Sequence, residues 1–442
     1  MRKAIVLCFM FVYILPIFSQ EGFHLDADKK KVTIPFKLIN NLIFIPIYIN
    51  GIELNFLLDT GVEETILLSL EDKNELNLNN VEKLKLRGLG NEESIEGLKS
   101  KNNVLSVNGF TDNSHSLYIV LDQSFNFSTH IGIPVNGIIG YSFFKNNLVK
   151  INYDKHKITI YKENNSIRKK IEKRYASIPI SIERSKPYVQ AQVTMNDKEI
   201  PAKLLLDIGN SDAVWLFQDI NKSFQVPTNN FEDFLGKGFS GDVMGKRARI
   251  TKFRLNTFEF SNPIIAMPDS NSIKNVTMVE NRVGSIGGDI FKRFTVVFDY
   301  KNNQLFLSKS SHFATPFQYN MSGVELQNEG MQWVQETVQL QTVNINAIEF
   351  DKNGDRVNSN FKYKFSLKPI YSIANIRKNS PAELCGLKKG DIIISINKVI
   401  GYKYSLQEIN EILKSEEGKW LYFEIERESQ ILKFKFQLKS IL

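Results

Sequence analysis

The sequence predicts a mainly β protein: two similar lobes in tandem, followed by a smaller third module that is also rich in strands. Three observations predict it. Leu57-Leu58-Asp59-Thr60-Gly61 and Leu205-Leu206-Asp207-Ile208-Gly209 repeat one plan, an apolar run that ends in Asp-x-Gly, at an offset of 148. That offset also links Gly88 to Gly236, Gly90 to Gly238, Gly97 to Gly245, Asn108 to Asn256 and Phe110 to Phe258. After the loss of one residue, Gly137, Gly140, Phe144, Lys145 and Tyr153 match Gly284, Gly287, Phe291, Lys292 and Tyr300 at 147. A self-similarity held over about 150 residues is an internal duplication. The other two observations are runs with strand alternation bounded by turn signals, and the scarcity of helical periodicity.

Taken in order, Met1-Arg2-Lys3 is a short basic start, and Ala4 to Phe18 is apolar. Ser19-Gln20 then offers a small residue, so residues 1–20 read as a secretory signal peptide. The apolar stretch is shorter than the roughly 20 residues a spanning helix needs, and no later stretch is long enough. The mature chain is therefore expected to have no transmembrane helix.

Lobe one is expected over residues 21–162. Ile45 to Ile49, the Asn50-Gly51 pair and Ile52 to Leu58 read as a hairpin, Asn-Gly between apolar runs being the strongest short-range signal for one. Residues 163–174 form a polar linker with a basic run, Arg168-Lys169-Lys170. Lobe two, 175–312, repeats the hairpin as Tyr188 to Val193, a turn near Asn196-Asp197, and Ile200 to Leu206.

The third module is expected over 313–442. Its readable part runs from Ser380 to Asp391 into the alternating stretch Ile392 to Asn397. A helix with apolar Leu406, Ile409, Ile412 and Leu413 on one face follows, and then two strands. An insertion at about 327–360 contains Asp351-Lys352-Asn353-Gly354-Asp355. It lacks the later bidentate Glu of a calcium loop and reads as a turn.

Bulk properties exclude several classes. Apolar content of 42% and charged content of 24% are globular values. The net charge is +8, or +6 without Arg2 and Lys3, and it is spread along the chain. Spread charge on an exported protein argues against nucleic acid as a partner. Of the two cysteines Cys8 lies in the leader, so Cys385 has no intramolecular partner and the cores must be stable without disulfides. Five scattered histidines, His24, His115, His130, His156 and His312, form no i, i+4 pair beside a Glu. Neither a metal nor a cofactor is implied.

The paired Asp-x-Gly motifs resemble the signature of aspartic proteases of the pepsin and retropepsin kind. Gly137-Ile138-Ile139-Gly140 and Gly284-Ser285-Ile286-Gly287 resemble the strand beneath each catalytic loop. Ile286 to Asp299 is similar to the closing part of a pepsin-like second lobe, and Ala213-Val214-Trp215-Leu216 fits with one extra residue in the spacing. The resemblance covers about 25 to 310 and implies a bilobal pair of β-barrels with Asp59 and Asp207 as the catalytic dyad. Two carboxylates about 3 Å apart cannot both ionise and share a proton. The charged one activates water, and the protonated one donates to the peptide carbonyl.

Thr60, Gly61, Ile208 and Gly209 are expected to support the catalytic loops. Thr60 has the hydroxyl that reaches across to the opposite loop in this family; Ile208 does not, and neither Val62 nor Asn210 supplies the one expected after each Gly. Gly88, Leu89 and Gly90 fall where a flap lies. The turn Gly209-Asn210-Ser211 also resembles the nucleophile turn of trypsin-like enzymes, but the duplication accounts for it better.

The third module resembles a PDZ domain of the bacterial kind, which binds an extended peptide as an added strand. The resemblance implies a carboxylate-binding loop at Met321-Ser322-Gly323-Val324 and a groove-side position for Leu406. The expected whole is an exported, monomeric aspartic endopeptidase acting on peptides or unfolded protein in a periplasm or outside the cell, with a PDZ peptide ligand as a second partner. The alternative is a catalytically inactive peptide-binding protein of the same fold.

Overall fold

The computed structural model describes residues 22–442 except 71–74, 88–93, 122–126, 163, 239–240, 275–277, 340–348, 351, 355 and 358–360. The protein is mainly β. In the first lobe, Leu42–Ile49 pairs with Ile52–Leu58 about the expected turn, where Asn50 and Gly51 both have positive φ. Ile52–Leu58 runs parallel to Gly137–Ile139, which is antiparallel to Thr65–Leu67, which in turn runs parallel to Phe110–Val120. Ser94–Val107 pairs with both Phe110–Val120 and Leu42–Ile49, which closes a six-strand barrel. Ile43, Ile45, Ile47, Ile49, Leu54, Phe56 and Leu58 fill its core with Phe110, Leu117 and Phe143, while Leu42 and Phe44 face the other way and cluster with Val135.

The second lobe follows the same path in the same register. Phe56 pairs with Gly137 and Leu204 with Gly284; Leu58 pairs with Ile139 and Leu206 with Ile286. Its hairpin turns at Asn196 and Asp197, both left-handed. One difference lies in the long strands. Where lobe one has Ser94–Val107 and Phe110–Val120, lobe two has them interrupted, as Gly241–Arg249 with Lys252–Leu255 and Phe258–Ser261 with Ile264–Pro268. Pro263 in the second gap cannot donate to a ladder.

A six-stranded sheet joins the lobes, three strands from each, with Leu148–Asn152 antiparallel to Phe294–Asp299 at its centre. Lys150 pairs there with Val297, its own equivalent in the repeat. A pseudo-two-fold axis therefore passes through this point, as in an isologous dimer made within one chain. The polar linker becomes a helix, Asn165–Arg174. Asn164 caps it, and Ile171 packs on Leu148, Val297 and Phe306 of the joining sheet. Arg168 holds Asp299 at 2.6 Å.

The third module is a sheet over which Leu406–Leu413 packs, that helix starting in a capping box of Ser405 and Glu408. Asp391 is buried and takes both Arg427 nitrogens at 2.6 and 2.7 Å, which explains the Gly390-Asp391 signature. The first part of the expected insertion, residues 327–339, is the outer part of a strand, Val324–Gln339, that pairs with Phe361–Ile376. Alternation across this ribbon gathers Met331, Trp333, Phe365 and Leu367 on one exposed face. That face breaks the half-buried strand pattern and hid the pair in the sequence. Among the described residues, no helix is long and apolar enough to cross a membrane.

Candidate active site

Each aspartate follows a strand and is fixed by the neighbour that runs parallel to it. Asp59 N–H donates to Ile139 O and Asp207 N–H to Ile286 O, both at 2.9 Å. The glycines beneath are steric necessities. A Cβ on Gly140 would stand 2.3 Å from Val62 O, and one on Gly287 2.3 Å from Asp212 O. Each motif glycine also makes room for a carboxylate. A Cβ on Gly61 would lie 3.0 Å from an oxygen of both Asp59 and Asp207, and one on Gly209 2.1 Å from Asp59 Cγ. The two carboxyl groups thus come together at one point, each reaching over the other lobe's loop and keeping partial exposure to the cleft.

Their environments differ. Asp59 is held well above the usual carboxylate range, first by burial and then by the Asp207 charge, although Gly61 N–H donates to it at 2.6 Å. Asp207 is raised by burial, but Arg282 and a hydrogen bond from Asp59 oppose that. Both carboxyl groups are thus raised, and the one proton they share titrates as a property of the pair. Lys186, half-buried, has its amine pushed down by burial and by Arg282, against the opposing charges of Asp59 and Asp207.

Thr60 is fully buried; its hydroxyl donates to Leu206 O at 2.6 Å and accepts from Ile208 N–H at 3.0 Å. One side chain thus ties the lobes together through the opposite loop. Ile208, equally buried, joins the apolar core. Asn41 adds further ties, donating to Ser211 O and accepting from Lys292. The first-lobe candidates Gly88, Leu89 and Gly90 lie outside the described residues. The hairpin Asn230–Gly238 with Gly241–Arg249 does line the cleft, through Phe234, Gly236, Lys237 and Val243. It is anchored by Arg247, which bonds Asp233 and Asp212 at 2.7 Å each, while Asp212 also accepts from Trp215.

The cavity at the dyad measures about 550 Å³ and extends to the third module, where Tyr319, Val324, Glu325, Leu326, Asn410 and Lys414 line it. The third module is fastened at its rim: Asn40 N–H donates to Gln407, and Leu406 lies against Gly132 of lobe one. Glu325 is half-buried there, and its desolvation with Asp233 and Asp242 nearby pushes its carboxyl up to about 8.

The expected carboxylate loop has its donors engaged. Ser322 and Gly323 N–H bond Asn320 Oδ1, Val324 N–H bonds Ser322 Oγ, and Met321 N–H bonds Leu413 O. Met321, Ser322, Val324 and Leu406 are all buried. Sequence reading missed Arg282, Arg247 and the strand at Val324 as parts of the cleft. Arg282 was within reach, since the repeat makes it the equivalent of Val135.

Comparison with known families fits this geometry. Residues 45–143 match the aspartyl protease family, and residues 372–427 match the PDZ domain. The chain thus carries a retropepsin-like aspartyl protease domain and a PDZ domain, a protease-like body with a peptide-binding module. No curated protein matches the chain at a significant level.

Proposed function

We propose that this protein is an aspartic endopeptidase in which Asp59 and Asp207 activate water against a peptide bond. The observation that carries the reading is the convergence of the two carboxyl groups above Gly61, where burial raises both of them. In such a pair the Asp207 carboxylate takes a proton from water held between the two groups. Protonated Asp59 donates to the carbonyl oxygen as the tetrahedral centre forms; as that centre collapses, Asp207 gives the proton it took from water to the leaving nitrogen, and a hydroxyl of the centre returns its proton to Asp59. Support also comes from the steric fit of Gly61, Gly209, Gly140 and Gly287 and from the Thr60 tie.

The PDZ domain acts in this reading as an end wall of the cleft, because its edge strand lines the same cavity and its loop donors are engaged. The basic and apolar start of the sequence supports export. A denatured-protein or peptide library tests the activity: wild type cleaves it, and Asp59→Asn and Asp207→Asn do not. Equal residual rates in all three would leave the inactive peptide-binding alternative, which Ile208 favours.

A further inference from the structure

The repeat places equivalent residues on opposite walls of the cleft, and at one pair of positions their chemistry is opposite. Val135 in lobe one corresponds to Arg282 in lobe two at the offset of 147. Val135 is buried among Leu42, Phe44, Leu57, Phe127 and Ile131, so that wall is apolar. Arg282 is only 7% exposed yet lines the cavity. Its Nε donates to Gly284 O at 3.2 Å, and its guanidinium lies 5.3 Å from the Phe217 ring centre.

Among the described residues, no carboxylate stands within ion-pair distance of that guanidinium. An arginine has five donors in a fixed fork, shaped to meet a carboxylate with two hydrogen bonds. Burying one without an anion is costly, and a chain that keeps it in a cleft has a use for the charge. Asp207 gains from it, but does not pair with it. Lys186 adds a second positive charge on the same side.

We infer that the second-lobe wall of the cleft is a carboxylate subsite built on Arg282, so that the preferred peptide carries an acidic group there and an apolar side chain against Val135. The inference rests on the proteolytic reading. The acidic group is a carboxylate of an Asp or Glu side chain or of a chain terminus, and matched peptides separate the two sources.

The test begins with mapping cleavage sites in a peptide library. kcat/KM is then measured for peptide pairs that differ only as Glu against Gln, or as free against amidated C-terminus, next to the scissile bond. Wild type should favour the carboxylate member of one pair at least tenfold, mainly through KM. That ratio should fall to about one in Arg282→Met and recover in part in Arg282→Lys. Because the ratio is taken within each variant, it is insensitive to any general effect of Arg282 on the dyad. A wild-type ratio near one in both pairs overturns the inference whether or not Arg282→Met folds, and so does a ratio that persists in that variant. Should wild type cleave nothing, the proteolytic reading fails instead. Calorimetric binding of the same pairs to Asp59→Asn then decides the subsite by the same tenfold criterion.

Discussion

The two lobes agree closely where they hold the aspartates and differ almost everywhere around them. Both have the parallel strand pair, the backbone bond to Asp59 or Asp207 and the crowded glycines. Around that frame, lobe one is a closed barrel with an apolar cleft wall and Thr60. Lobe two has interrupted long strands, Arg282 in the wall, Ile208 in the grip and a hairpin packed on the PDZ domain. Duplication thus supplies symmetry for the shared point, and divergence makes the pair chemically unequal. Acid and base roles already follow from one proton shared by two close carboxyl groups, and the unequal surroundings bias which of them holds it.

The largest expected effect sharpens this comparison at its centre. Asp59→Asn and Asp207→Asn should each lower kcat by about a thousandfold or more, since a general acid or base of this kind contributes roughly that much. Each variant should keep its fold, checked by circular dichroism.

Next come the motif glycines. Gly209→Ala puts a methyl inside the Asp59 carboxylate, whereas Gly61→Ala puts it in a tight contact, 3.0 Å from an oxygen of each aspartate, that small shifts relieve. Gly209→Ala should therefore cost about 3 kcal/mol of stability and Gly61→Ala only about 1 kcal/mol, read by denaturant titration. Equal costs would show that the lobes relax alike.

The Thr60 tie is the third difference. Thr60→Val removes a donor to Leu206 O and an acceptor from Ile208 N–H, at a cost of about 1–3 kcal/mol. Ile208→Thr gives up some apolar burial, at a cost of about 1 kcal/mol, while turnover is preserved or raised. A tenfold fall in turnover with the fold intact would mark Ile208 as a functional adaptation.

A further difference lies at the PDZ junction. Glu325 is raised to about 8 in the folded protein, so between its unfolded value and 8 the folded state binds more protons than the unfolded. Stability from this group is therefore lost as pH rises through that window. Glu325→Gln should flatten the loss of melting temperature between about pH 5 and 8; an unchanged slope would place the titrating group elsewhere.

Much of this was legible in the sequence because glycine leaves a position-specific trace. Gly137, Gly140, Gly284 and Gly287 each sit where a Cβ would strike backbone, so their spacing exposed both the duplication and the strands beneath the dyad. The helix Asn165–Arg174 was read as linker because only Ile167 and Ile171 interrupt its polar run. The PDZ loop was located by spacing, but spacing says nothing about its N–H groups, which Asn320 and Ser322 occupy through side-chain bonds. Arg282 escaped notice because a lone arginine in a strand has no local signature. Its meaning comes only from Val135 across the repeat.

The most direct test of the shared-proton account is the binding of a peptide analogue whose hydroxyl-bearing centre mimics the tetrahedral intermediate. Calorimetry should find tight binding to wild type, weakened about a hundredfold or more by Asp59→Asn and by Asp207→Asn alike. Binding that is unchanged in either variant would contradict the claim that both carboxyl groups act on one centre.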